Sequence, residues 1–362
     1  MSNPSNAPTR TSAGDQHVSW SSPQRQIQFN QWLAGLPTEL GLQPATLSLA
    51  SVDASFRRYL RVESSRGSLV IMDAPPDKED CKPFVQVDLL MQQAKLRVPE
   101  VLAWEQSLGF LLLTDLGTKT MLQAMDLAGE PPLVQYLEAV DMLIQWQLAS
   151  KPDVLPPYDT ALLRRELDLF PQWYIAQHRK VTLDHKQLKT LEDAFGRIIE
   201  NNLSWPSVYV HRDFMPRNLM VSDQGLGLGL LDFQDAVYGP ITYDIASLMR
   251  DAFLTWDEEF CLDVTIRYWQ KARKAGLPVG DDFGTFYQGV EWMGLQRHLK
   301  IAGIFARLTL RDGKPQYLED TPRFIHYIRS TCSRYMALKP LLRLVETIEG
   351  IEVPTAFAFG RF

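Results

Sequence analysis

Cysteine is scarce. The chain holds three in 362 residues, Cys81, Cys261 and Cys332, far apart and with no CxxC pair. That excludes a disulfide framework and a cysteine-based zinc centre, and it fits a reducing compartment. Each cysteine reads as a small buried apolar residue. Basic charge is also short, with 37 Lys and Arg against 43 Asp and Glu and a formal net charge of −6. A nucleic-acid binder needs a basic face, so no such partner is expected. Long apolar runs are missing: the strongest, Leu108-Gly-Phe-Leu-Leu-Leu113, is too short to span a bilayer. Residues 1–24 are rich in Ser, Asn, Pro and Thr and lack the apolar segment of a secretory signal. They read as a disordered tail. The expectation is a cytoplasmic monomer with no membrane partner.

Apolar residues, at 45%, and aromatics, at 10%, are enough for a substantial core, and the length suggests two domains. Between 25 and 116 the pattern is a short helix, 26–36, then strands. Thr46–Ala50 and Arg58–Val62 alternate with period two across the turn-prone Ser51–Ser55. Ser68–Met72 is a third strand. Apolar residues at 84, 87, 90 and 91 predict a helix over 84–96, followed by strands over 98–104 and 109–114. The rest, 117–362, is mainly helical, with helices predicted at 133–149, 160–178, 185–201, 242–254, 257–275, 282–310 and 322–349, the last broken near Pro340. The fold class is therefore α+β, a small β-rich N-lobe at 25–116 before a larger helical C-lobe. The junction of two such lobes is a common ligand site.

The informative stretch is 203–236, where short strands and loops replace helix. Leu219–Val221 is a strand, Ser222-Asp-Gln-Gly225 has strong turn chemistry, and Leu226–Leu231 returns. A turn centred near 224 or 225 sets Asn218 opposite about residue 231, so Asn218 and Asp232 meet at the open end of a hairpin. Asp213 lies on the loop entering that end. Alone, each reads as a turn residue; together they form an oxygen-rich cluster suited to Mg²⁺, which takes few carboxylates and completes its shell with waters and phosphates. Phosphoryl transfer uses such a cluster, with a separate carboxylate orienting the attacking hydroxyl. His211-Arg-Asp213 followed by Asn218 has the kinase spacing H-R-D-x-x-x-x-N, and Asp232-Phe233 stands where kinases keep a metal-binding Asp. His211 reads as a brace for the loop. Downstream, Thr242 is a plausible helix N-cap, and Asp244 in the first turn suits the helix dipole and holding of the loop.

On these motifs the chain resembles the aminoglycoside phosphotransferase/choline-kinase-like enzymes, which share the bilobal protein-kinase-like fold. More closely, it resembles the anomeric N-acetylmuramate/N-acetylglucosamine kinases of bacterial cell-wall recycling. The segments are Leu112–Gly117, Glu166–Tyr174, His211–Asn218, Leu231–Ala236 and Gln296–Arg307. The resemblance implies ATP and Mg²⁺ as cofactors, Asp213 as catalytic base, and Asn218 and Asp232 as metal ligands. It implies a hinge at Leu113–Leu116, including Thr114 and Leu116, that meets adenine. It also implies a loop from Ser51 through Asp53, Ala54 and Ser55 to Arg57 over the phosphates.

Two features depart from that family. The phosphate loop has no glycine, and Met72 stands where the third strand should carry a phosphate-binding lysine, with no obvious glutamate partner on the next helix. Some cation should offset the phosphate charge, and Arg57 or Arg58 is the expected substitute. For the sugar, Glu166, Trp173, Tyr174, Gln234 and Arg297 offer planar hydrogen-bonding groups and aromatic faces. Glu166 and Arg297 read equally as an ion pair, and Trp173 and Tyr174 as core. The leading reading is a sugar 1-kinase. An aminoglycoside or other hydroxyl kinase and a pseudokinase-like binding module are the alternatives.

Overall fold

The computed structural model describes residues 18–52, 56–127, 129–222 and 224–351. Two compact units emerge: residues up to 92 with 98–117, and residues 93–97 with 118 onward.

In the first unit, helix α1 (Pro23–Ala34) opens with Ser22 as N-cap, its hydroxyl accepting from the Arg25 N–H, and with Pro23 in the first turn, where its missing N–H matters least. A five-stranded antiparallel sheet follows: β1 (Gln43–Val52), β2 (Arg58–Ser64), β3 (Gly67–Asp73), β4 (Val101–Glu105) and β5 (Phe110–Thr114), in spatial order 1-2-3-5-4. Leu60, Val62, Leu69, Ile71, Phe110 and Leu112 point to one face and bury against Phe29 and Leu33 of α1, as the period-two pattern requires. Helix α2 (Lys82–Gln93) lies between β3 and β4 in sequence. Two expectations shift here. Residues 18–22, assigned to the tail, are ordered, with Trp20 packed on Phe29 at 4.6 Å between ring centres. The fourth strand begins at Val101 rather than 98.

The second unit takes residues 93–97 because the Arg97 carbonyl accepts from the Leu230 N–H at 2.8 Å. Its helices are α3 (Met121–Ala124), α4 (Leu133–Leu148), α5 (Thr160–Leu167), α6 (His185–Leu203), α7 (Thr242–Met249), α8 (Glu258–Lys274), α9 (Phe283–Leu310), α10 (Thr321–Arg334) and α11 (Lys339–Glu349). Two short antiparallel pairs interrupt them: β6 (Ser207–Val210) with β9 (Val237–Pro240), and β7 (Leu219–Met220) with β8 (Gly229–Leu230).

The helix predicted over 160–178 is split. After α5 the chain becomes a π-helix, Phe170–His178, with Pro171 in its first turn. Pro171 cannot donate the bond a continuous α-helix needs there, and widening the turn accommodates the loss. The helix predicted to 254 stops at Met249. The break placed near Pro340 falls at 335–338, with Pro340 inside the first turn of α11. The returning strand is only Gly229–Leu230, shorter than 226–231. The core unites the π-helix, α6, α9, α10 and α11. Helix α9 crosses so close to Leu169 that a Cβ on Gly303 would lie 2.4 Å from the Leu169 carbonyl, a contact only glycine permits.

Candidate active site

Strand β6 delivers His211 and Arg212 to a loop that is held on every side. Asp244, in the first turn of α7, is fully buried, and its two carboxylate oxygens accept from the consecutive backbone N–H groups of His211 (2.7 Å) and Arg212 (3.0 Å). Burial pushes the Asp244 carboxyl up to about 7, opposed by those two bonds. Thr242 is not the N-cap. It occupies the first helical position after Ile241, and its hydroxyl is buried without a partner.

His211 is fully buried, and burial pushes its imidazole down to about 4. Its Nδ1 accepts from the Asp213 N–H (3.2 Å), so Nε2 carries the proton and donates to the Leu231 carbonyl (3.0 Å). The histidine therefore ties the loop to the hairpin. Asn218 ends a single 3₁₀ turn, Pro216–Asn218, and its side-chain amide donates to the Asp213 carbonyl at 2.8 Å. Leu219 pairs with Leu230, and the Leu231 N–H donates to the Asn218 carbonyl at 2.9 Å. Asn218 thus stands opposite Leu231 and next to Asp232, where the turn chemistry put it. Asp213 is partly exposed, and among the described residues its carboxylate makes no ion pair within 4.0 Å. Arg212 (φ 78°) and Asp232 (φ 65°) both sit in the left-handed region, each at a cost of about 1–3 kcal/mol for a non-glycine residue.

Gln234 donates from its amide to Asp232 Oδ1 at 2.9 Å, while its own Oε1 is buried without a partner. Glu166, on α5 and buried, accepts from Arg212 (2.6 Å), Lys300 (2.9 Å), Gln296 (3.0 Å) and the Tyr158 hydroxyl. Burial alone would raise this carboxyl; Lys300 and Arg212 overcome it and hold it near 2. Arg297 does not pair with Glu166. It is 1% exposed, donates to the Arg212 carbonyl at 2.6 Å and lies over the Tyr243 ring at 4.8 Å. Tyr174 stacks on Phe170 and donates to Glu349 at 2.9 Å, and Trp173 packs against the helical core. Of the five sugar candidates, Glu166, Gln234 and Arg297 thus converge on the 211–213 loop or the hairpin, whereas Tyr174 reaches to the end of α11.

Sequence reasoning passed over Tyr158, Gln296 and Lys300. On one helix, Lys300 lies three residues after Arg297 and four after Gln296, a spacing that could have grouped it with each of them. Tyr158 offered no such signal. It is set by β9, where a Cβ on Gly239 would meet the Tyr158 Cβ at 2.6 Å.

In the first unit, Asp53, Ala54 and Ser55 lie outside the described residues. Ser51, near the end of β1, faces Tyr59. Thr114 accepts the Glu100 N–H on its hydroxyl at 2.8 Å, and Leu116 is buried. Asp115, between them, binds Arg61, Ser68 and the Gly117 N–H, which holds the 113–117 segment. Arg58 donates to Asp73 at 2.7 Å and rests on Trp20 at 4.1 Å; Arg57 is 3.9 Å from Glu79. Met72 is buried between Tyr59 and Leu111. Helix α2 carries a buried Asp88, which burial pushes up to about 7.

Among the described residues no group of three His, Cys, Asp or Glu is arranged to hold a metal ion. An amide and a single carboxylate at one hairpin end nevertheless fit Mg²⁺, which is commonly held by one or two carboxylates with phosphate oxygens. No described helix is long and apolar enough to cross a membrane.

Residues 46–281 match the model of the phosphotransferase enzyme family. The chain is 47% identical over 340 residues to an N-acetylmuramate/N-acetylglucosamine kinase of Neisseria meningitidis, covering 93% of this chain and 100% of that one. It is 45% identical to the Pseudomonas aeruginosa protein of the same name, over 90% and 97%. Among solved structures, an amicoumacin kinase in complex with AMP-PNP, Ca²⁺ and Ami superposes with TM-score 0.58 at 16% identity, over 84% of this chain and 92% of that one. A Plasmodium vivax ethanolamine kinase superposes with TM-score 0.55 at 12% identity, over 80% and 83%. The fold is the protein-kinase-like one, with an antiparallel β-sheet unit and a helix-rich unit.

Proposed function

Because the chain belongs to the phosphotransferase enzyme family, we propose that it transfers the γ-phosphoryl group of ATP to the anomeric hydroxyl of N-acetylmuramate and N-acetylglucosamine. The products are the sugar 1-phosphate and ADP, and the reaction would serve recycling of cell-wall sugars. The observation that carries this reading is identity of 43–47% over at least 90% of the chain to kinases named for those two sugars, in a chain that keeps Asp213, Asn218 and Asp232 on one loop and hairpin.

Asp213 orients the acceptor hydroxyl and takes its proton. An anomeric hydroxyl is more acidic than an ordinary alcohol, so that proton can leave late, and positioning carries most of the catalysis. Asp244, Arg297 and His211 keep the loop rigid, which limits reorganisation at the moment of transfer. Asn218 and Asp232 would hold Mg²⁺, whose contribution when bound is to neutralise charge on the phosphates. The backbone of Leu113–Leu116 and the segment from Ser51 to Arg57 are the proposed nucleotide contacts.

The exposed Arg217, on the turn before Asn218, favours a neutral or anionic acceptor over a polycationic aminoglycoside. The test is an ATP-consumption screen over N-acetylmuramate, N-acetylglucosamine and kanamycin, with the phosphate position read by NMR. Phosphorylation of kanamycin but of neither amino sugar, or a product other than the 1-phosphate, refutes the reading.

A further inference from the structure

Of the four cations Arg212, Arg217, Arg297 and Lys300, three are ion-paired or enclosed. Arg212 and Lys300 are bound to Glu166, and Arg297 is buried against the Arg212 carbonyl and Tyr243. Arg297, 1% exposed, is therefore too deeply enclosed to meet a substrate carboxylate. Arg217 is the exception. It follows Pro216 on the 3₁₀ turn, four residues after Asp213 and directly before Asn218, and it is exposed. Among the described residues it makes no ion pair within 4.0 Å.

Its guanidinium lies over the Phe253 ring at 4.3 Å. The Phe253 ring packs on Phe305 at 5.9 Å between ring centres, and its backbone N–H donates to Oδ1 of the buried Asp251 at 2.6 Å. The charges of Arg297, Arg217 and Arg323 favour the ionised form of Asp251, and Arg323 is itself paired with Asp320 at 3.1 Å. A guanidinium stacked on an aromatic face keeps its edge N–H groups for a second partner, and the geometry of that edge matches a carboxylate.

We propose that Arg217, seated on Phe253, binds the carboxylate of an anionic acceptor and so sets the preference for N-acetylmuramate over N-acetylglucosamine. The two sugars differ by the 3-O-lactyl group, whose carboxylate is the one charge that distinguishes them. The inference rests on the amino-sugar reading above.

The experiment uses the full chain with ATP and Mg²⁺. It measures kcat/KM for N-acetylmuramate, N-acetylglucosamine and N-acetylmuramate carboxamide in the wild type, Arg217→Gln and Arg217→Lys. In the wild type the acid is expected to outperform its carboxamide. Arg217→Gln is expected to lower the N-acetylmuramate to N-acetylglucosamine ratio roughly 10- to 100-fold, the range for losing a charge-assisted contact, through KM for the acid, and to abolish discrimination between acid and carboxamide. Arg217→Lys keeps the charge but loses the fork, so its ratio should fall between the two; it decides the matter should Arg217→Gln fail to fold. A ratio within twofold of wild type in the variants, or retained discrimination against the carboxamide, overturns the proposal. A wild type that phosphorylates N-acetylglucosamine and ignores the lactyl carboxylate sinks this inference alone, whereas one that phosphorylates neither sugar sinks the amino-sugar reading with it.

Discussion

Arg297 donates to the backbone carbonyl of Arg212 at 2.6 Å, closing a clamp on a residue whose N–H is already taken by Asp244 and whose side chain is taken by Glu166. Arg212 is in the left-handed region, and such a conformation persists only when its surroundings over-determine it. The clamp therefore sets where Asp213, the next residue, stands. Arg297→Ala should lower kcat by about 100-fold, the size of effect a misplaced catalytic group produces, while the sugar KM changes less than about threefold. Arg297→Lys should recover part of kcat. Steady-state kinetics check this: a large rise in sugar KM with kcat preserved would make Arg297 a substrate contact instead.

Asp213→Asn should reduce kcat by about 10²- to 10⁴-fold, the usual contribution of a positioned base, with an unchanged melting temperature. Asp232→Ala should instead raise the Mg²⁺ concentration needed for half-maximal rate. Chelation should abolish wild-type turnover, and added Mg²⁺ should restore it. Turnover by Asp213→Asn at near wild-type rate would remove the proposed chemistry.

Arg57 and Arg58 should separate cleanly. Arg58 is tied to Asp73 and Trp20, so Arg58→Ala should destabilise by about 1–3 kcal/mol, the cost of leaving a buried acceptor with fewer donors, and leave the ATP KM near wild type. Arg57→Ala should raise the ATP KM by about tenfold, if it supplies the cation missing at Met72. Urea unfolding and nucleotide titration of kinetics measure the two effects, and equal behaviour of the two variants contradicts the assignment.

Stability should depend on pH through His298. This residue is 1% exposed, stacked on Tyr327 at 4.5 Å, and burial pushes its imidazole down to about 3. The unfolded chain binds a proton near 6.5 that the folded chain refuses until about 3. Its contribution is therefore complete above 6.5 and falls as pH drops toward 3, by about 1.4 kcal/mol per pH unit. His298→Gln should be less stable at pH 7.5 but should lose about 1.4 kcal/mol less than wild type on going to pH 5.5, measured by urea unfolding at both values. Equal losses would show that His298 already accepts its proton near 6.5 in the folded state.

Much was legible from the chain alone, and for local reasons. Period-two alternation marks β1, β2 and β3 because successive side chains must face opposite sides of a sheet. Turn chemistry at Ser222–Gly225 dictates the hairpin register, and with it the meeting of Asn218 and the residue before Asp232. What misled were interruptions whose cause is distant or subtle: the π-helix over Phe170–His178, the short returning strand, and the missing cap at Thr242.

Pattern and spacing determined most of the elements, the kinase-like order and the placing of Asp213, Asn218 and Asp232 on one loop and hairpin, since each depends on residues close together in sequence. Only the tertiary structure decided which charges face one another. It paired Glu166 with Arg212 and Lys300, buried Arg297 behind the catalytic loop and left Arg217 outside on Phe253. The physical reason is that the state of a charge depends on its desolvation and on its neighbours. For these residues the neighbours are far away in sequence, as Lys300 is from Glu166.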